Sequence, residues 1–242
     1  GRLFAACQRT DQGAPMPQRR TDADRRDLRD AVRILAAEQG GTFRRSDLED
    51  WGIDPTVVVS MRRNGLWRRL HHGVYIDADL WDAESDPRAR HSLRASAALA
   101  SLPRDARLHA VSAAVDCGLP VDRSLLDTVH LVRPRGADSR ALRRRVTAPE
   151  RLEGVRLHVL DIPPDWLVDG SRPSVSPSLA AWATATLGSL DWAVATMDGC
   201  AWQNPEAIAE LTAIADRWPR AAGAGTACGR RTGKVRPRPA SP

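Results

Sequence analysis

Apolar residues recur at helical spacing from Leu28 onward and mark the first element of the chain. One face of a helix collects the positions i, i+3, i+4, i+7 and i+8, which here are Leu28, Ala31, Val32, Leu35 and Ala36. Gly40 and Gly41 follow, and glycine adopts the positive φ angle that a helix C-terminus needs. A second short helix is predicted from Arg44 to Trp51, and Gly52 ends it.

The next stretch predicts a third helix and a β-hairpin. Asp54 can cap the N-terminal N–H groups of this helix, and Pro55 occupies its first position, where no N–H is needed. Residues 66–70 and 74–76 alternate like strands, and the tight turn between them would contain His71, His72 and Gly73. Three helices followed by a hairpin is the winged helix-turn-helix layout, in which the third helix enters the major groove of DNA.

Charge is unevenly distributed over these elements. From Arg25 to Asp50, six arginines meet six acids, whereas there is no acid between Pro55 and Ile76. Phosphate neutralisation needs such a positive excess on the third helix and the wing. The predicted DNA contacts are Ser60, Arg62 and Arg63 on the helix, Arg68 and Arg69 on the wing, and His71 and His72 in an exposed wing turn. The alternative is a helical hairpin whose arginines are simply solvated.

The run GGTFRRSDLEDWGIDPTVVVSMRRNGLWRRLHHGVY also carries a family resemblance. It resembles the N-terminal domain of the AbiEi-type antitoxins, winged-helix proteins of type IV toxin–antitoxin systems that are common in actinobacteria. The most specific part is the ending W-R-R-L-H-H-G-V-Y. The resemblance continues more weakly through SAAVDCGLP, TVHLVRP, VRLHVLDI and SVSPSLAAWATA, and covers about residues 25–223.

The resemblance implies a transcriptional regulator that binds double-stranded DNA and represses its own promoter. It also implies that a second domain neutralises a cognate nucleotidyltransferase-like toxin. Many relatives continue into a Vsr-like endonuclease domain, and we expect this chain to be without its acidic metal-binding residues. Two alternatives remain: the remnant of a protein fused to such an endonuclease, and a module that only binds other proteins.

The whole chain is predicted to be α+β and mainly helical, with a winged helix-turn-helix followed by a mixed α/β domain. Strands are expected over residues 128–132 and 155–160, the second with Val155, Leu157 and Val159 on one face. The acidic stretch from Asp77 to Pro87 is interpreted as a linker. The predicted divisions are a disordered lead (1–24), the winged domain (25–78), the mixed domain (88–218), and a disordered, truncated or frame-shifted tail (219–242).

Composition adds little to this assignment. The net charge of +6 suggests an anionic partner, but an arginine-rich composition with one lysine is also expected of a GC-rich coding sequence. A second basic cluster contains Arg140, Arg143, Arg144 and Arg145, and it is interpreted as a solvated segment. No apolar run approaches the length of a membrane span, and no signal peptide is evident, so a cytoplasmic location without membrane partners is expected.

The sequence offers no recognisable catalytic motif. The four cysteines lack zinc-site spacing, and no phosphate-binding glycine loop or metalloprotease motif is present. His130 and His158 lie in the two predicted strands and could face each other. We therefore expect no enzyme, no catalytic or metal site and no cofactor. The operator, the toxin and the oligomeric state are not determined by the sequence.

Overall fold

A computed structural model of the chain describes residues 21–102, 105–134 and 154–218. Helix α1 (Asp22–Ala37) begins at a capping box, in which Thr21 Oγ1 accepts a hydrogen bond from the backbone N–H of Asp24 and the Asp24 carboxylate accepts one from the N–H of Thr21. The helix therefore starts within the lead that was expected to be disordered. Residues 1–20 of that lead lie outside the described residues.

The N-terminal unit combines three helices with a three-stranded antiparallel sheet. After α1 come β1 (Thr42–Arg44), α2 (Arg45–Asp50), α3 (Pro55–Arg63), β2 (Trp67–His71) and β3 (Val74–Asp77), and the strand order is β1-β3-β2. The predicted helices and hairpin are present. The short strand β1, which pairs Phe43 with Tyr75, was not predicted.

Local chemistry accounts for both ends of the helix-to-hairpin segment. The Asp54 carboxylate accepts a hydrogen bond of 2.7 Å from the N–H of Thr56, as expected for the cap of α3. At the hairpin, His72 and Gly73 form a two-residue turn, and Gly73 has a φ of 70°. His71 belongs to β2 opposite Val74, so the strand ends one residue later than predicted.

The apolar core of this unit lies between the helices and one face of the sheet. Phe43 and Trp67 contribute an edge-to-face contact with ring centroids 4.9 Å apart. The other fully or largely buried members are Val32, Ala36, Leu48, Val57, Val58, Met61 and Tyr75. Ala31, assigned to the inner face of α1 from its spacing, is exposed.

The acidic stretch after the hairpin is not an extended linker. Asp77 is buried at the end of β3, and it caps helix α4 (Ala78–Ala83) by accepting a hydrogen bond from the N–H of Asp79. Its carboxylate also binds Arg29 and Arg33 of α1, at N–O distances of 2.5 Å. Burial alone would raise the pKa of Asp77, but the hydrogen bonds from Arg33 and Arg29 outweigh burial and hold the pKa below its usual value. The stretch thus fastens α1 to the sheet.

The C-terminal unit is a five-stranded mixed sheet with helices. Its elements are α5 (Pro87–Ser101), β4 (Arg107–Leu108), α6 (Ala110–Asp116), β5 (Val129–Pro134), β6 (Val155–Leu160), β7 (Leu167–Val168), β8 (Ser174–Val175), α7 (Pro177–Ala185), α8 (Leu190–Gln203) and α9 (Ala207–Arg217). The strand order is β6-β5-β4-β8-β7, with β5 and β6 parallel. Val159, expected on the same face as Val155 and Leu157, is 54% exposed. No described helix is long and apolar enough to cross a membrane.

Helix α5 links the two units. It packs against all three strands of the N-terminal sheet and also against α6 and β5 of the C-terminal unit. Ser101 Oγ, at the end of α5, lies 2.7 Å from Nδ1 of His71 on the hairpin. The sheet of the N-terminal unit is therefore covered on both faces, by α1–α3 on one side and by α5 on the other.

Candidate nucleic-acid interface

Helix α3 buries one side and turns a basic side outward. Val57, Val58 and Met61 are buried in the core, which fixes the rotation of the helix about its axis. The residues left exposed are Thr56, Val59, Arg62 and Arg63. Arg62 and Arg63 are thus exposed as predicted, whereas the exposed Val59 was not anticipated.

Ser60 is less accessible than its predicted role requires. It is half-buried, and its carbonyl accepts a hydrogen bond of 2.8 Å from Nδ2 of Asn64. The same nitrogen lies 3.5 Å from the Ser60 hydroxyl. Ser60 therefore contributes mainly to the end of α3, and the outer surface of the helix is formed by its neighbours.

The guanidinium groups of α3 are available to an anionic ligand. Neither Arg62 nor Arg63 makes an ion pair or side-chain hydrogen bond with another described residue. Both lie in the last turn of α3, where cations interact favourably with the helix dipole. Phosphate groups could approach this end without displacing an internal partner.

The two wing arginines lie on opposite faces of β2, because successive strand residues point to opposite sides. Arg69 pairs with Tyr75, on the face that looks toward α1–α3. Arg68 pairs with Ile76 on the face toward α4 and α5, where it forms an ion pair of 3.1 Å with Asp82. Arg69 makes no such pair within the described part of the chain, so it is the more available of the two.

The two wing histidines also differ. His72 is exposed in the turn, as expected. The expectation of an exposed His71 is wrong, because this side chain is only 7% exposed and lies against Ser101 of α5. A β-bulge between Arg69 and His71 turns His71 to the face of the sheet that packs against α5.

Two further basic residues lie beside the wing turn. The N–H of Arg45, the first residue of α2, donates a hydrogen bond of 2.9 Å to the carbonyl of Gly73. Arg44 precedes it and is also exposed. These two arginines were not predicted as DNA contacts, because the acids of α2 follow them in the sequence. Only the pairing of β1 with β3 places them beside the hairpin.

Comparison with known families finds a similarity in this part of the chain. Residues 30–76 match a family of transcriptional regulators, the AbiEi antitoxins. The match runs from the middle of α1 to β3 and includes each predicted DNA contact, while everything after Ile76 lies outside it. A search of curated proteins finds no match to the chain.

Outside the AbiEi-matched segment, three histidines meet between α6 and the parallel strands. Nδ1 of His130 lies 3.3 Å from Nε2 of His158, and the ring of His109 packs edge-on to His158 with centroids 5.0 Å apart. Burial, reinforced by the neighbouring histidines, lowers the pKa of His109 to about 3 and that of His130 to about 4. Across residues 21–102, 105–134 and 154–218, no group of three or more His, Cys, Asp or Glu side chains is arranged to hold a metal ion.

A cleft of about 1050 Å³ is lined by residues of β1, of α5 and of the segment 171–173. Its most prominent charge is Arg172, which donates to the hydroxyls of Ser92 and Ser96 at 2.7 and 3.2 Å and pairs with Asp116. This guanidinium is already satisfied within the fold, and Glu38, Arg44 and Glu84 give the rest of the lining charges of both signs. The second basic cluster predicted from the sequence lies outside the described residues.

Proposed function

We propose that this chain is a DNA-binding transcriptional regulator of the AbiEi antitoxin type. In this proposal residues 22–77 act as a winged helix-turn-helix, with α3 in the major groove and the hairpin against the DNA backbone. The order helix–strand–helix–helix–strand–strand and the family match over residues 30–76 both support it.

The observation that carries the proposal is the surface formed by the outer side of α3 and the hairpin. It presents the guanidinium groups of Arg62, Arg63 and Arg69 without an intervening acid. Each guanidinium that contacts a phosphate releases condensed counterions, so binding should depend strongly on salt. Arg44 beside the turn extends the same surface, whereas the neighbouring Arg45 already pairs with Glu49 at 3.3 Å.

The test is gel retardation of a labelled mixed-sequence duplex by the full chain over a series of salt concentrations. Three phosphate contacts predict a slope of log affinity against log salt of about −3 or steeper. A slope near zero would remove the electrostatic argument. Incubation with Mg²⁺ on the same gel tests for nuclease activity, because a regulator should retard the duplex and leave it uncut.

We further propose that the protein represses its own promoter and neutralises a nucleotidyltransferase-like toxin. The surface that suits the second role is the outer side of α8 and the start of α9. It exposes Leu190, Val194, Trp202 and Ile208 together with Asp191 and Asp198. From residue 173 to residue 216 there are five acids and no lysine or arginine. An enzyme that binds nucleotide phosphates presents basic groups, which complement this acidic and apolar face.

This role is testable by co-expression with the toxin gene expected beside that of the regulator. Trp202 is 90% exposed, so replacing Trp202 with Ala removes contact area without opening a cavity. The Trp202→Ala variant should lose protection against growth arrest and keep DNA retardation. Protection equal to the unmodified chain would exclude this face as the toxin contact. A reporter joined to the protein's own promoter tests repression separately.

A further inference from the structure

The outer side of α3 carries an apolar residue at its centre. Val59 is 49% exposed, although its neighbours Val57 and Val58 are buried. It lies within the first two turns of the helix, one turn before Arg63. In helix-turn-helix proteins, residues of the N-terminal part of the recognition helix contact the base edges. Val59 therefore occupies the position from which a side chain would meet a base.

A single exposed valine is common on protein surfaces, so its neighbours decide what it can do. The hydroxyl of Thr56, one turn earlier, lies 2.6 Å from the Asp54 carboxylate within the helix cap. Ser60, the next residue, is half-buried and bonded to Asn64. The polar groups beside Val59 thus serve the helix ends, and its isopropyl group is the main feature that the middle of α3 presents outward.

We propose that Val59 reads the C5 methyl group of thymine in the major groove. This inference rests on the proposed function, because it places α3 in that groove. The thymine methyl is the apolar group that the major-groove edge of a base pair displays, and apolar side chains recognise it by contact. Arg62 and Arg63, at the C-terminal end of the helix, are left to bind phosphate or a flanking guanine.

The experiment removes the C5 methyl group from thymine and, separately, the two γ-methyl groups from Val59. The preferred duplex is selected from a random library with the full chain, and each of its thymines is then replaced singly by deoxyuridine, which lacks the C5 methyl. At the thymine that each bound copy of the protein contacts through Val59, the replacement should weaken binding about fourfold. This factor is equivalent to about 0.8 kcal/mol for one buried methyl group. The Val59→Ala variant should bind the thymine and deoxyuridine duplexes equally.

Val194→Ala is the matched control, because Val194 has the same 49% exposure on α8. This variant should retain the fourfold preference for thymine. Alanine favours helix more than valine does, so both substitutions should leave the fold intact, which circular dichroism can verify.

Two outcomes would overturn the inference while the proposed function stands. One is equal binding of thymine and deoxyuridine at every position by the unmodified chain. The other is a Val59→Ala variant that still prefers thymine fourfold. If the chain retards no duplex at all, the proposed function fails, and the inference that rests on it fails too.

Discussion

Helices α3 and α8 expose a valine to the same extent in opposite electrostatic surroundings. Val59 on α3 has two arginines within four residues and no acid on the outer side of the helix beyond its cap. Val194 on α8 has Asp191 and Asp198 within four residues and no basic neighbour. Two similar amphipathic surfaces therefore suit different partners, since DNA phosphates attract the first and repel the second.

The comparison shows why total charge is a poor guide to the function of this chain. A net charge of +6 describes neither surface, because the basic hairpin and the acidic α8–α9 segment partly cancel. What distinguishes the side that we propose to face DNA is the placement of guanidinium groups without an ion-pair partner among the described residues. Arg68 illustrates the point, since its ion pair with Asp82 reduces the charge that the wing offers.

The buried polar groups of the two units differ as well. The N-terminal unit holds the Asp77 carboxylate charged between two arginines, whereas the C-terminal unit holds three histidines together without an acid among them. The first arrangement is lost only in strong acid, below the usual pKa of an aspartate. The second should respond to pH as soon as histidine in the unfolded chain begins to bind protons.

Charge reversal on each helix should produce the largest difference between them. The Arg62→Glu, Arg63→Glu double variant replaces two charge-assisted phosphate contacts with repulsion and should reduce DNA affinity at least about 100-fold. The Asp191→Arg, Asp198→Arg variant of α8 should change affinity far less. Gel retardation measures both. Comparable effects from the two pairs would mean that only net charge governs binding.

Acid should destabilise the C-terminal unit before the N-terminal one. The folded-state pKa values of His109 and His130 lie below the unfolded value of 6.5, so their contribution is complete above that pH and is lost as pH falls toward about 4. Each of these two histidines should lower the free energy of unfolding by about 1.4 kcal/mol per pH unit in this range. Urea unfolding at several pH values measures the slope.

The histidine assignment has an internal control. A His109→Gln variant removes one of the buried imidazoles and should show a shallower pH dependence than the unmodified chain. Val159→Ala, at an exposed position of the same sheet, removes no titratable group and should leave the slope unchanged. Identical slopes for all three proteins would show that the histidine cluster does not set the acid response.

Removal of Arg63 alone should have a smaller and sequence-dependent effect. If Arg63 makes a bidentate contact with guanine, Arg63→Ala should cost about 1–3 kcal/mol on the selected duplex and relax the preference at one position. Arg123, exposed in the C-terminal unit, provides the matched control. A uniform loss over all sequences would assign Arg63 to the phosphate backbone.

Local signals in the sequence predicted much of the N-terminal unit. The cap of α3 by Asp54 and the hairpin about Gly73 depend on residues within a few positions of each other. Strand β1 could not be found in this way, because three residues carry no period. It forms because Phe43 pairs with Tyr75 far along the chain and packs on Trp67.

The errors in the candidate site have the same origin. The acidic stretch after β3 resembled a linker because the arginines that bury Asp77 lie more than 40 residues earlier, on α1. His71 was expected to be exposed because a bulge, which changes the face of the strand, leaves no mark in the sequence. The availability of Arg69 and the pairing of Arg68 likewise depend on α4, an element that the sequence did not predict.

The smallest expected difference lies between these two wing arginines. Arg69→Ala should make the slope of log affinity against log salt shallower by about 0.9, the change for one lost phosphate contact, and should weaken all sequences alike. Arg68→Ala should leave the slope nearly unchanged, because Arg68 already pairs with Asp82 and lies 5.9 Å from the centroid of the Trp81 ring. The two substitutions remove the same charge from adjacent residues, so any difference between the two slopes reflects the face of the strand on which each residue lies. If Arg68→Ala changed the slope as much as Arg69→Ala, the wing would approach DNA with both faces, and helix α4 would have to move away from the hairpin on binding.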